Sequence, residues 1–182
     1  MAVREILIYP QHKTELRKKS DSVLKVNRQV DLLIQDLKDT LKASSDGIGL
    51  AAAQINIHQR VVIVCLETET DGKWLAGPPQ ALINPHIVEV GDERKDFDGC
   101  LSFPGMYGET VRPHYLHVVG LDEQGQAFDY LFEGFNAVVV HHEIDHLDGI
   151  LFIDRIQSIE DLYTIRENGC GEMARVPFNT KL

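Results

Sequence analysis

Apolar positions recur at helical spacing over residues 27–43, where Val30, Leu33, Ile34, Leu37 and Leu41 fall on one stripe and Asn27 stands as an N-cap. This predicts an amphipathic helix whose stripe packs on the core. Ser44, Ser45, Asp46 and Gly47 break the pattern, and the segment GIGLAAAQ (47–54) follows before a second break at Asn56. Residues 61–66 are an apolar run of strand length, predicting a buried strand. A polar, Pro-containing stretch at 67–80 reads as a loop. The β-branched content of ALINPHIVEV (81–90) predicts a strand with an edge position or a bulge at Pro85. Alternation over 114–133, interrupted by Asp122-Glu123-Gln124-Gly125, predicts a hairpin.

At 135–148 the period changes to helical, and Phe135, Val138, Val139, His142 and His146 fall along one face. Two histidines therefore lie on the stripe expected to be buried. A last helix is predicted from Ser158, which with Asp161 forms a capping-box pattern, to near Gly169. No repeat or linker divides the 182 residues, a length that buries roughly 70% of the unfolded surface in one core. The expectation is one α+β domain over 1–182, with small mixed or antiparallel sheets packed around the helix that carries the histidines.

Composition changes this picture little, at 43% hydrophobic and 25% charged residues. Charge does more. Eighteen basic and twenty-eight acidic residues leave a formal −10, which argues against specific nucleic-acid recognition or an anionic membrane as partner. MAVREILIYP carries no export pattern and no apolar run approaches 18 residues, so a soluble, cytoplasmic protein is expected. Three cysteines without such a signal do not make a disulfide framework. Cys65, in an apolar run, reads as a buried structural thiol, and Cys170 receives no assignment.

The candidate chemistry begins with His142-Glu143-Ile144-Asp145-His146. Imidazoles at i and i+4 stand about 40° apart around a helix and can reach one metal ion. Glu143 is rotated away from ligation but can take a proton from a water that the metal acidifies. The competing reading is a surface helix with two chance histidines. Burial weighs against it, because each buried polar group needs a partner and a metal satisfies all of them.

The third ligand decides the class. A metzincin would place a further histidine where this chain has Phe152, so that class is excluded. Glu160 or Glu167 would serve a thermolysin-like protease, which normally needs a larger two-part body. Cys100, in Asp98-Gly99-Cys100-Leu101-Ser102 and close to Pro104-Gly105, is presented on a tight, irregular backbone. Alone it reads slightly better as a buried thiol; beside the histidine pair it is the better ligand candidate. One cysteine and two histidines suit zinc by geometry and iron or nickel nearly as well.

Three segments together, GIGLAAAQ at 47–54, DGCLS at 98–102 and HEIDHLDG at 142–149, resemble in order and spacing the signature motifs of peptide deformylases, over roughly residues 3 to 156. The resemblance implies an enzyme that removes the formyl group from the N-terminal methionine of nascent polypeptides, releasing formate. Its partners would be N-formylmethionyl peptides, met at the ribosome. It implies one divalent metal per chain, Fe2+ first and Zn2+, Ni2+ or Co2+ as alternatives, held by Cys100, His142 and His146. Glu143 would act as general base and then acid, with Gln54 and the Leu101 backbone N–H stabilising the oxyanion. Ile48, Gly49 and Gly99 would pair with the substrate backbone, and Val138 and Val139, with Phe103 and Tyr107 as further candidates, would line the methionine pocket.

Two positions depart from the family pattern, which usually has Glu at the position of Asp98 and Gln at that of His141. The shorter Asp98 opens a contact with Arg112 to displacement, while His141 points about 100° away from the metal. The alternatives are a hydrolase of another N-acyl substrate, a small zinc metalloprotease, and a structural metal site completed by His141 or His114.

Overall fold

In the computed structural model, which describes residues 2–44, 47–70, 73–167 and 173–178, the first long helix forms where the apolar stripe predicts it. A single turn, α1 (Lys13–Leu16), precedes α2 (Arg28–Ala43). Asn27 caps α2, its side chain accepting from Gln29 N at 2.9 Å and Val30 N at 3.2 Å, which satisfies two of the donors a helix start leaves free. The strands are β1 (Gly49–Ala51), β2 (Val61–Val64), β3 (Glu67–Thr70), β4 (Lys73–Ala76), β5 (Gln80–Val90), β6 (Glu93–Gly99), β7 (Tyr107–Pro113), β8 (Tyr115–Leu121), β9 (Ala127–Glu133), β10 (Leu162–Glu167) and β11 (Met173–Pro177). Between β9 and β10 lies α3 (Gly134–Leu147).

Among the described residues these strands form a five-stranded sheet, β1-β2-β5-β8-β9, a four-stranded sheet, β11-β10-β7-β6, and the β3-β4 ribbon. All pairings between named strands are antiparallel. β2 shows how the large sheet organises the core. Its alternate residues Val61 and Ile63 pack with Leu33, Leu37 and Leu41 of α2. Val62 and Val64 pack with Val139, Val140, Ile144 and Leu147 of α3. Each such fully buried aliphatic side chain contributes about 1.5–3 kcal/mol. α3 is therefore covered all round rather than along one stripe, and every residue from Ala137 to Leu147 is buried. None of the described helices is long and apolar enough to cross a membrane.

Three expectations need correction. Residues 67–70 and 73–76 form the β3-β4 ribbon, with Glu67 opposite Ala76 and Thr68 opposite Leu75, so of the described residues of the expected loop only 77–79 lie between β4 and β5. Asp71-Gly72 between the two runs is a hairpin signal in the sequence that the loop reading, resting on polarity and proline, left unused. The capping box at Ser158 is real: Ser158 Oγ accepts from Glu160 N, and Asp161 accepts from Ser158 N. It opens one 3-10 turn, Ile159–Asp161, and not a long helix. Leu162 and Tyr163 then pair with Gly108 and Tyr107, because strand partners outweigh local helix signals for β-favouring residues. The expected end near Gly169 lies outside the described residues. Finally, Cys65 is half-buried against the α2 side of the core, where burial pushes its thiol up, and Cys170 lies outside the described residues.

Pro85 resolves as a bulge and not an edge. β5 pairs on both sides, and its register with β8 shifts between Ile83 and His86. Asn84 takes a positive φ of 51° there, held by side-chain hydrogen bonds to the Val23 backbone at 2.8 and 2.9 Å.

Candidate metal centre

α3 carries His142 and His146 on consecutive turns, their ring centroids 4.9 Å apart. β6 ends at Gly99, and the chain turns at once, with Phe103 N bonded to Cys100 O at 2.9 Å and Met106 N to Phe103 O at 3.1 Å. This turn brings the Cys100 sulfur to 3.2 Å from His146 Nε2. One ligand atom from each of Cys100, His142 and His146 lies within 4.8 Å of the others, so the three can hold one ion. His141 and His114 do not join them: His141 bonds to Arg112, and His114, the one residue between β7 and β8, is exposed and outside the group. Glu160 and Glu167 are also exposed and outside the group. Phe152, in the place a third histidine would need, packs its ring 6.4 Å from that of His142.

Behind the ligands lies a chain of buried charges. Asp98 Oδ1 accepts from His142 Nδ1 at 2.8 Å, which leaves Nε2 to face the centre. Its Oδ2 accepts from Arg112 Nε at 2.8 Å and Thr110 Oγ1 at 3.0 Å. Arg112, 1% exposed, reaches on to Asp145 at 2.9 Å, and Asp145 in turn accepts from Arg155 at 2.7 Å. The Arg112 contact is thus kept despite the short Asp98 side chain. His141 does point away from the centre, its Nδ1 accepting from Arg112 Nη1 at 3.1 Å. Asp145, Thr110 and Arg155 were not singled out by the sequence; the nearest signal was the position of Asp145 inside the histidine motif.

Ionisation follows this wiring. Burial pushes the Asp98 carboxyl up, but His142 and Arg112 outweigh it and hold Asp98 well below the usual range. Burial pushes His142 down, yet Asp98 and the Cys100 sulfur carry it well above the ordinary histidine value, making it a strongly basic donor. A metal would take the place of its Nε2 proton. His146, buried beside His142, is pushed well below and stays neutral. Burial, opposed only partly by Asp145, takes His141 down to about 4.

Glu143 is 4% exposed, and burial raises its carboxyl to about 7. Its Oε2 is buried with no hydrogen-bond partner among the described residues. A Cβ at Gly49 would overlap this carboxylate, so β1 can lie against it only because residue 49 is glycine. Gln54, on a buried 3-10 turn (Ala52–Ile55), accepts from Ala51 N through Oε1 at 2.9 Å. Its Nε2 is thereby directed at Cys100 Sγ, 3.6 Å, and Ser102 Oγ, 3.1 Å. Ser102, inside the DGCLS segment, completes that orientation.

A cleft of about 310 Å3 opens onto these groups. Ile48, Gly49, Gln54, Gly99, Leu101, Val138 and Val139 all line it, as do Phe103 and Tyr107. Val138 and Val139 are almost wholly buried, and Tyr107 stacks on Phe97 at 5.8 Å. Ile48 O accepts from Cys65 N at 2.7 Å, fixing the edge of β1 beside the cleft.

A cysteine and two histidines around one position, with a buried carboxylate beside them and a cleft in front, define a metal-dependent hydrolase. Residues 3–161 match the family model described as polypeptide deformylase. A peptide deformylase of Desulforudis audaxviator is 43% identical over 160 residues, covering 87% of this chain and 97% of the relative. One from Thermomicrobium roseum is 40% identical over 91% of both chains. Among solved structures, the peptide deformylase of Ehrlichia chaffeensis in complex with actinonin superposes with a TM-score of 0.77 at 34% identity, covering 87% of this chain and 91% of that one. That of Thermotoga maritima gives 0.74 at 31% identity, over 87% and 100%. The chain belongs to the polypeptide deformylase family, and it removes the formyl group from the N-terminal formylmethionine of nascent polypeptides.

Proposed function

We propose that this hydrolysis is carried out within one catalytic domain, residues 1–182, at the centre formed by Cys100, His142 and His146, with Glu143 moving the protons. The carrying observation is the Glu143 carboxylate, buried, unpartnered at Oε2 and raised to about 7 beside three convergent ligand atoms. The donor set fits a divalent ion, which a sulfur and two imidazoles, one oriented by Asp98, would hold. When bound, the ion lowers the pKa of a water toward about 7 and polarises the formyl carbonyl.

Glu143 accepts a proton from the attacking water as its oxygen bonds to the formyl carbon. It returns the proton to the nitrogen as the C–N bond breaks, so that formate and a free amine leave. Gln54 Nε2 and the Leu101 N–H donate to the formyl oxygen as charge builds there. The backbone of Ile48, Gly49 and Gly99 takes the peptide as an added strand, and Val138 and Val139 receive the unbranched methionine side chain.

Fe2+ is the proposed native metal by resemblance, since intrinsic affinity alone favours Zn2+ and the donors also accept Ni2+ or Co2+. The proposed setting is the cytoplasm, with the nascent chain met at the ribosome during protein biosynthesis. Anaerobic purification with metal analysis and a formate-release assay tests the reading. Release of formate from formyl-Met peptides, but not acetate from acetylated ones, is expected; metal-replete protein that ignores the formyl group would overturn it.

A further inference from the structure

We infer that Arg155 is a positioning residue for the metal centre: through Asp145 it fixes the Arg112 guanidinium, and so the Asp98 carboxylate that orients His142. The inference deepens the proposed function and rests on its reading of His142 as a ligand. Four charges alternate in one line from that ligand to the surface, Asp98, Arg112, Asp145 and Arg155, and their signs cancel. Arg112 divides its fork between the two carboxylates. Its Nε and Nη2 each donate to Asp98 Oδ2 at 2.8 Å, and its Nη1 donates to Asp145 Oδ2 at 2.9 Å. Arg155 donates to Asp145 as well, through Nε to Oδ2 at 3.1 Å and through Nη2 to Oδ1 at 2.7 Å. Asp145 Oδ2 is thus shared between the two arginines.

The side chains of Asp98, Arg112 and Asp145 are 5% exposed or less, and that of Arg155 is 30% exposed, so the outer cation is the one that can be replaced without opening the core. Without it, two buried carboxylates would face one guanidinium. A buried charge left without its partner is costly, and Asp145 would draw Arg112 toward itself. Because the guanidinium is planar and rigid, a turn toward Asp145 takes Nε and Nη2 off Asp98. Asp98 Oδ1, which accepts from His142 Nδ1 at 2.8 Å, would then lose the bracing of its other oxygen.

The local chain holds Arg155 in place for this contact. It closes the 3-10 turn Phe152–Arg155, whose first residue lays its ring 6.4 Å from that of His142 with the planes 24° apart. Asp154, inside the same turn, accepts from Leu151 N and from Arg17, both at 2.9 Å, which pins the turn to the end of α1. One turn therefore meets the histidine at one end and its line of charges at the other.

Arg155→Met keeps the aliphatic stem and removes the charge, whereas Arg155→Lys keeps the charge without the fork. Metal affinity, measured by competition with a chelator, is expected to fall about three- to tenfold in Arg155→Met, less than for a group bonded directly to a ligand, and Arg155→Lys should recover part of the loss. In an Asp145→Asn background no second carboxylate competes for Arg112, and adding Arg155→Met should weaken binding by less than about twofold. A role in folding alone would lower Tm in Arg155→Met and leave the affinity of the folded protein unchanged. In the metal-free protein, the Nδ1 proton of His142 should exchange with solvent faster in Arg155→Met, about three- to tenfold, as read by nuclear magnetic resonance. Unchanged affinity, unchanged proton exchange, or an equal loss in the Asp145→Asn background would each overturn the inference. Wild-type protein that loads metal but releases no formate would instead sink the proposed function, and leaves these comparisons standing.

Discussion

Asp98 acts through both oxygens of one carboxylate: one orients His142, and the other neutralises the buried guanidinium of Arg112. Asp98→Asn removes the charge from both contacts and leaves Arg112 dependent on Asp145. Metal affinity is expected to fall about 10–100-fold, measured by competition with a chelator. Glu143 works alone by comparison. In its proposed role the carboxylate must be ionised to accept a proton, so activity should be present above its pKa and lost as pH falls through it. With the carboxyl raised to about 7, and the charge of a bound ion pulling it lower, kcat/KM should rise with pH on a limb whose midpoint lies at or below about 7. Glu143→Gln should abolish that limb and lower kcat at least about a hundredfold with the metal still bound. At this scale the candidate ligands were readable because their spacing carries the chemistry. Asp145 and Arg155 were not, since their parts depend on charges brought from β7 to α3 only in the folded chain.

The elements that present these residues sit at very close range. β1 passes against α3 where Gly49 faces Glu143, a contact with no room for a side chain. Gly49→Ala should push the carboxylate aside and lower kcat/KM on the order of a hundredfold, more than it lowers the denaturation midpoint, because small displacements of catalytic groups are costly. α2, α3, β2 and the β8-β9 hairpin were legible from period alone. The β3-β4 ribbon and β10 were not. The Ser158 capping box is a true local signal, but one turn of helix gains less than the backbone pairing that Leu162 and Tyr163 find on β7.

Across the whole molecule, the candidate metal centre draws on the turn after β6, in the four-stranded sheet, and on α3, which packs on the five-stranded sheet. An ion bound only by the folded state stabilises it by mass action, about 2.7 kcal/mol at a concentration one hundred times Kd. Chelation should therefore lower Tm reversibly, and in Cys100→Ser the metal-dependent part of Tm should shrink together with metal content. The motifs and the family resemblance carried the reaction and pointed to the proposed ligands and base, because those depend on residue type and spacing along the chain. The tertiary structure decided that Asp98 still holds Arg112, that His141 turns to the same guanidinium, and that Phe97 joins Tyr107 at the cleft. Each of these contacts is set by distances between strands and helix that no local pattern encodes.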